Sequence, residues 1–142
     1  MTAEWPGRIL GPPLCAPAEP ETWRRILGDH RTDTLEDGLA WLVRTYGTAA
    51  TAALLDVPTA ELRAYREGTC AVPALVAGRI SYLVLVTDQL VGAYNAMGLR
   101  RWWQRPRVAL DGRSPRAALG GDWDPAGPAA EAVLALARGL NA

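Results

Sequence analysis

Residues 74–97, ALVAGRISYLVLVTDQLVGAYNAM, decide the fold. Leu75, Arg79, Tyr82, Leu83, Val86, Leu90, Ala93, Tyr94 and Met97 recur at steps of three and four, which is the spacing of one helical face. Val76, Ile80, Val84, Leu85 and Val91 make the other sides apolar too. A helix that is apolar most of the way round is central to a domain or lies in an oligomer interface. Pro73 suits the first turn and Gly98 the stop. At a rise of about 1.5 Å per residue, such a helix spans about 36 Å, a domain's width. Arg79 interrupts the most apolar run, which is too short to cross a bilayer, so no membrane span is predicted.

Upstream, Thr34 and Asp37 resemble a capping box. Leu35, Leu39, Leu42, Val43 and Tyr46 then follow helical spacing up to a stop at Gly47. Thr48 is placed to cap a short helix over 49–55. A turn at Asp56-Val57-Pro58 leads to another helix, Thr59–Glu67, closed by Gly68. This is a helix-turn-helix pattern. Before it, residues 21–28 are a short helical candidate with Trp23, Ile26 and Leu27 on one face, and His30 sits in a polar loop. Residues 1–20 hold five of the eleven prolines with little periodicity, the pattern of an extended, largely disordered arm.

Downstream, residues 98–115 read GLRRWWQRPRVALDGRSP. They gather Arg100, Arg101, Arg105, Arg107 and Arg113 around Trp102 and Trp103. Neighbouring helical residues point about 100° apart, so at most one of the two indoles is expected to be fully buried. The other is left for a partner, or for stacking with Arg105 or Arg107. Asp111-Gly112 marks a turn, and Ser114-Pro115 a cap followed by proline at the start of a short helix over 116–119. Gly120-Gly121 stops it, residues 122–128 are loop, and a last helix spans 129–140 with Val133, Leu136, Ala137 and Leu140 inward. No strand-period run exceeds four residues. The predicted fold is all-α.

Composition narrows the function classes. All fifteen basic residues are arginine, fifteen acidic residues balance them, and the net charge of zero argues against a non-specific nucleic-acid binder. The charge is uneven: residues 95–116 carry six arginines against Asp111 alone. That excess favours an acidic partner surface or phosphate. Cys15 and Cys70 make neither a disulfide framework nor a metal-ligand spacing. The N-terminus lacks a basic region followed by an apolar one, so no secretory signal is read and a cytoplasmic location is expected. No nucleophile–histidine–carboxylate set surrounds His30, and Gly120-Gly121 follows no strand, so neither a hydrolase site nor a phosphate loop is read. Asp122 and Asp124 read as turn residues. Catalysis, a metal and a cofactor are not expected.

The helix-turn-helix offers Thr59, Arg63 and Arg66 to base edges and Thr48 and Thr51 to phosphates. Residues 35–68 nevertheless carry Arg44, Arg63 and Arg66 against Glu36, Asp37, Asp56, Glu61 and Glu67, a net of −2. The same helical geometry also serves plain packing or dimerisation.

The order of parts resembles a known family. LLDVPTAELRAYREG, residues 54–68, is similar to the divergent Xre-type motif, with a turn before the recognition helix and an aromatic–basic–x–Gly end. GLRRWWQRPRVALDGRSPRAALGGDWDP, residues 98–125, and AEAVLALARGL, residues 130–140, resemble the C-terminal toxin-binding domain of MbcA/ParS/Xre antitoxins. Trp102, Pro106, Leu110, Gly112, Arg113, Ser114 and Pro115 match that pattern, and Arg107 stands where it usually has Asn. With the proline-rich arm over 1–20, which has no counterpart in the family, and the central helix over 74–97, the resemblance gives an Xre-like region over 21–73 and a toxin-binding domain over 98–142. It implies an antitoxin that occludes the active site of a NAD⁺-degrading RES-domain toxin and, as a homodimer on operator DNA, represses its own operon. Residues placed toward the toxin are Arg101, Trp103, Arg105, Arg107, Arg113, Ser114, Arg138 and Leu140. The other reading is a stand-alone helix-turn-helix regulator with a C-terminal dimerisation domain.

Overall fold

The computed structural model describes residues 35–139. The proline-rich arm, the candidate helix over 21–28, His30, Thr34 and Leu140 lie outside them. Among the described residues seven α-helices follow one another: α1 (Leu35–Tyr46), α2 (Thr48–Leu55), α3 (Thr59–Glu67), α4 (Ala74–Leu90), α5 (Ala96–Trp102), α6 (Pro115–Leu119) and α7 (Pro128–Gly139). A 3₁₀ turn, Val108–Leu110, lies between α5 and α6. No strand forms among the described residues; an isolated antiparallel bridge joins Arg107 to Arg113. None of these helices is long and apolar enough to cross a membrane.

Helix α1 buries Leu35, Leu39, Leu42 and Tyr46, the i, i+4, i+7 stripe of an amphipathic helix. Glu36 and Asp37 in its first turn and Arg44 in its last oppose the helix dipole. Gly47 then takes φ +89°, where a side chain would be strained, and the chain turns into α2. Gly47 is also the N-cap of α2, so the cap expected from Thr48 does not form; Thr48 is the first helical residue and makes no capping bond.

The α2–α3 junction follows the expected three-residue turn. Asp56 adopts a left-handed conformation, with Asp56 N–H donating to Ala53 O at 3.2 Å and Val57 N–H to Ala52 O at 3.0 Å. That is a Schellman ending, and it leaves the carbonyls of Leu54 and Leu55 without local donors.

Helix α4 is the hub, packed against α1, α2 and α7. It buries residues on every side, among them Val76, Ile80, Leu83, Val84, Val86 and Leu90. It ends at Leu90, two turns earlier than the predicted stop. Tyr94 N–H bonds back to Leu90 O at 3.0 Å, Gly92 lies in the turn, and Asn95 starts a new helix by accepting from Gly98 N–H at 2.8 Å. Asparagine favours caps because its short side chain competes for backbone groups, so apolar periodicity carried through 91–97 reads a break as a continuation. Gly98, the predicted terminator, sits inside α5.

Helix α5 delivers Trp102 and Trp103 to α1. The indoles meet edge to face with centroids 5.0 Å apart, and each is 1% exposed. The expectation that one of them stays at the rim is therefore corrected. The helix stops at Trp102, Trp103 is its C-cap, and the later segment folds over both, with Arg116 N–H donating to Trp103 O at 3.0 Å. Helix α7 closes the core through Ala130, Val133 and Ala137. Cys70 is half-buried beside the core, and Cys15 lies outside the described residues.

Candidate functional site

Two surfaces carry the residues singled out by the sequence. The first grows from the tryptophan pair. Trp103 Nε1–H donates to Tyr46 Oη at 3.0 Å, and Tyr46 in turn shares a 2.7 Å hydrogen bond with Thr87 Oγ1. Burial outweighs these two bonds and raises the Tyr46 pKa, so the phenol stays neutral. Trp103 is thus a core residue with a satisfied polar tip, and its assignment to partner contact is withdrawn.

From Trp103 the chain runs into a loop fixed from within. Arg107 N–H donates to Arg113 O at 3.0 Å, and Gly112 N–H returns to Arg107 O at 2.9 Å. Asp111 at φ 58° and Gly112 at φ 81° make the reversal. Leu110 anchors the loop in the core, whereas Val108 at its tip is 95% exposed. Arg107 begins the 3₁₀ turn without a side-chain capping bond, and its guanidinium lies 5.6 Å from the Trp102 ring centroid.

The remaining predicted contact residues divide. Arg101, Arg105, Arg113 and Arg138 are exposed, and Arg107 is half-buried. Ser114 serves the fold instead, since its Oγ accepts from Ala117 N–H at 3.1 Å and caps α6, with Pro115 at the first helical position. Arg100 reaches across to α1, its Nε–H donating to Thr45 O at 3.1 Å. Arg101, Arg105 and Arg107 line a groove of about 220 Å³ beside α5.

The second surface is the α2–α3 pair. Thr48 and Thr59 are the first residues of these two helices and are half-exposed, while Arg63 and Arg66 are exposed. Thr51, read as available for phosphate, is buried and donates to Leu42 O at 3.2 Å. Tyr65 Oη–H donates to Glu61 Oε2 at 3.1 Å, and burial, with the Glu61 charge and hydrogen bond, pushes its pKa up to about 12.

Sequence reasoning missed the contact that joins these regions. Arg79 in α4 is 3% exposed and uses three guanidinium nitrogens: Nε–H to Trp123 O at 2.8 Å, an Nη1 donor to Leu55 O at 3.0 Å, and Nη2 to Asp122 Oδ1 at 3.1 Å. The guanidinium also lies 5.4 Å from the Trp123 ring centroid. Trp123 Nε1–H takes the other carbonyl left open at the end of α2, Leu54 O, at 2.8 Å. Asp56 Oδ2 accepts from Asp122 N–H at 2.7 Å, so the turn between α2 and α3 is held by the 121–123 loop. One signal was available. A charged residue inside an otherwise apolar helix needs partners, and Arg79 is such a residue. Asp124 does form a turn, its Oδ1 accepting from Ala126 N–H at 2.9 Å.

No protein-family model matches the chain, and no curated protein and no solved structure matches it significantly. Among the described residues no cluster of three His, Cys, Asp or Glu is placed to hold a metal ion.

Proposed function

We propose that this chain is the antitoxin of a type II toxin–antitoxin pair and neutralises a NAD⁺-consuming RES-domain toxin by covering the mouth of its active site. The observation that carries this reading is the 95% exposed Val108 at the tip of a loop braced by the Arg107–Arg113 bridge. A loop already held in shape loses little conformational freedom on docking, so its contacts convert more fully into affinity. An apolar anchor among exposed arginines is also typical of protein interfaces. The resemblance in residues 98–140 supports the same reading. Most of the matching positions (Trp102, Leu110, Gly112, Ser114 and Pro115) shape and brace this segment rather than face outward.

Co-expression with the product of the neighbouring gene tests the proposal. The wild-type chain is expected to restore growth and cellular NAD⁺. Val108→Glu, which removes no packing, is expected to lose that rescue while keeping a wild-type melting temperature. A neighbour that consumes no NAD⁺, or toxicity that the wild-type chain does not relieve, overturns the reading.

The α2–α3 surface favours a second reading, a dimeric helix-turn-helix regulator of operator DNA, acting alone or on the toxin–antitoxin promoter. Exposed Arg63 and Arg66 on α3 and the threonines opening both helices support it. Retardation of the chain's own promoter fragment, lost in the Arg63→Ala/Arg66→Ala variant, is the expected result. No retardation by the wild-type chain removes the reading.

A further inference from the structure

We propose that the groove beside α5 is a carboxylate-binding site that receives an acidic side chain of a docking protein, seated next to an aliphatic one. This rests on reading the surface as a protein-docking face, but it does not require the partner to be a toxin. The groove encloses about 220 Å³ and is lined in part by Asn95, Met97, Arg101, Trp102, Arg105 and Arg107. Three arginines line it, and no carboxylate residue is among its lining. Among the described residues, none of the three arginines forms an ion pair. Cations gathered without a counter-charge repel one another, and an entering anion removes that repulsion.

A second observation points the same way. Trp102 Nε1–H and Arg107 Nε–H are buried and have no acceptor among the described residues. A buried N–H without a partner is destabilising, and such groups are few in native proteins. Both belong to side chains of the groove wall, and the Arg107 guanidinium is stacked against the Trp102 ring. The site therefore combines exposed charge from Arg101 and Arg105 with two donors, on Trp102 and Arg107, that have no acceptor among the described residues. A carboxylate, with two oxygens and about four acceptor positions, matches planar guanidinium donors.

The lining also selects the source of the anion. Met97 is 60% exposed and stands in the wall with Tyr94, which gives the groove an apolar side. A glutamate beside a leucine offers hydrocarbon to that side. Inorganic phosphate is hydrated all round and gains nothing there. A nucleic-acid backbone favours a broad basic face, and this chain concentrates its excess charge in one segment while its net charge is zero.

The test follows the indole N–H signals of the full chain by ¹H–¹⁵N NMR. The probes are a capped pentapeptide alternating leucine and glutamate, the same peptide with glutamine for glutamate, and inorganic phosphate. The glutamate peptide is expected to shift the Trp102 Nε1–H resonance. Its affinity should fall at least about tenfold with glutamine, and as far in the Arg101→Gln/Arg105→Gln variant. Both arginines are exposed, so that variant keeps the wild-type melting temperature. Absence of a shift, equal binding of the glutamine peptide, undiminished binding by the double variant, or phosphate binding as tight as the peptide's each overturn the proposal. Loss of toxin neutralisation in cells with peptide binding intact separates failure of the functional reading from failure of this one.

Discussion

Replacing Arg79 with leucine strips donors from two buried carbonyls, Leu55 O and Trp123 O, while leaving Asp122 almost untouched. An acceptor left unsatisfied in the interior costs about 1–3 kcal/mol, so Arg79→Leu is expected to lower stability by about 3 kcal/mol. The Asp122 side chain is 91% exposed, and an ion pair in that setting is worth less than about 1 kcal/mol, so Asp122→Asn should be nearly silent. Urea unfolding of both variants checks this; equal losses would shift the weight from the carbonyls to the charge pair. Tyr82 offers a second residue-level prediction. Its Oη–H donates to Ala130 O at 2.7 Å, and burial raises its pKa well above the ordinary 10.0. Once unfolded, the phenol ionises from about pH 10; folded, it keeps its proton, so the unfolded state binds fewer protons there. Its contribution is therefore complete below about pH 10 and declines as the pH rises toward the raised folded value. Unfolding midpoints at about pH 9 and about pH 11 should differ less in Tyr82→Phe than in the wild type. Tyr65, with its pKa near 12, contributes to the same decline and remains in the variant.

Among the elements, helices with one apolar stripe and a clear stop were legible. α1, α3 and α6 begin or end within a residue of their predicted bounds, because leucines at three- and four-residue steps, left-handed glycines and Ser114-Pro115 act locally. The break after Leu90 was not legible, because Val91, Ala93 and Met97 keep the period while Gly92 and Asn95 redirect the backbone. Trp103 was misplaced for a related reason. A 100° rule holds along a helix, and here the helix ends between the two indoles while a later segment covers the second. The exposed arginines were found on charge alone, but the groove they line depends on where α5 starts. Helix α7 carries the element-scale prediction. Ala130, Val133 and Ala137 are at most 1% exposed, and α7 packs on both α4 and α6. A chain cut before Pro128 is therefore expected to lose its cooperative thermal transition and its near-ultraviolet tryptophan signal. A cut chain that melts cooperatively would show α7 to be an appendage, and loss of partner binding in such a chain would then report on the docking surface itself.

At the scale of the molecule, one hydrophobic cluster runs from Leu35 to Ala137, so the parts named in the sequence share an interior. What binds the α2–α3 pair into it is the unfinished end of α2. Leu54 O and Leu55 O find their donors at Trp123 and Arg79, 69 and 24 positions away, and Asp56 meets the backbone of Asp122 across 66 positions. Contacts this distant raise the contact order and slow folding relative to a bundle built from neighbours. They also predict that amide protons of α2 exchange with solvent only through global opening, at the same free energy as those of α4. Faster exchange in α2, measured under conditions that leave α4 protected, would show that the pair opens alone. On the ribosome the consequence is one of order. Synthesis runs from the N-terminus, so α2 and α3 emerge well before Trp123 does. Arg79, the donor to Leu55 O, follows early, but until Trp123 leaves the exit tunnel Leu54 O has only water for a partner.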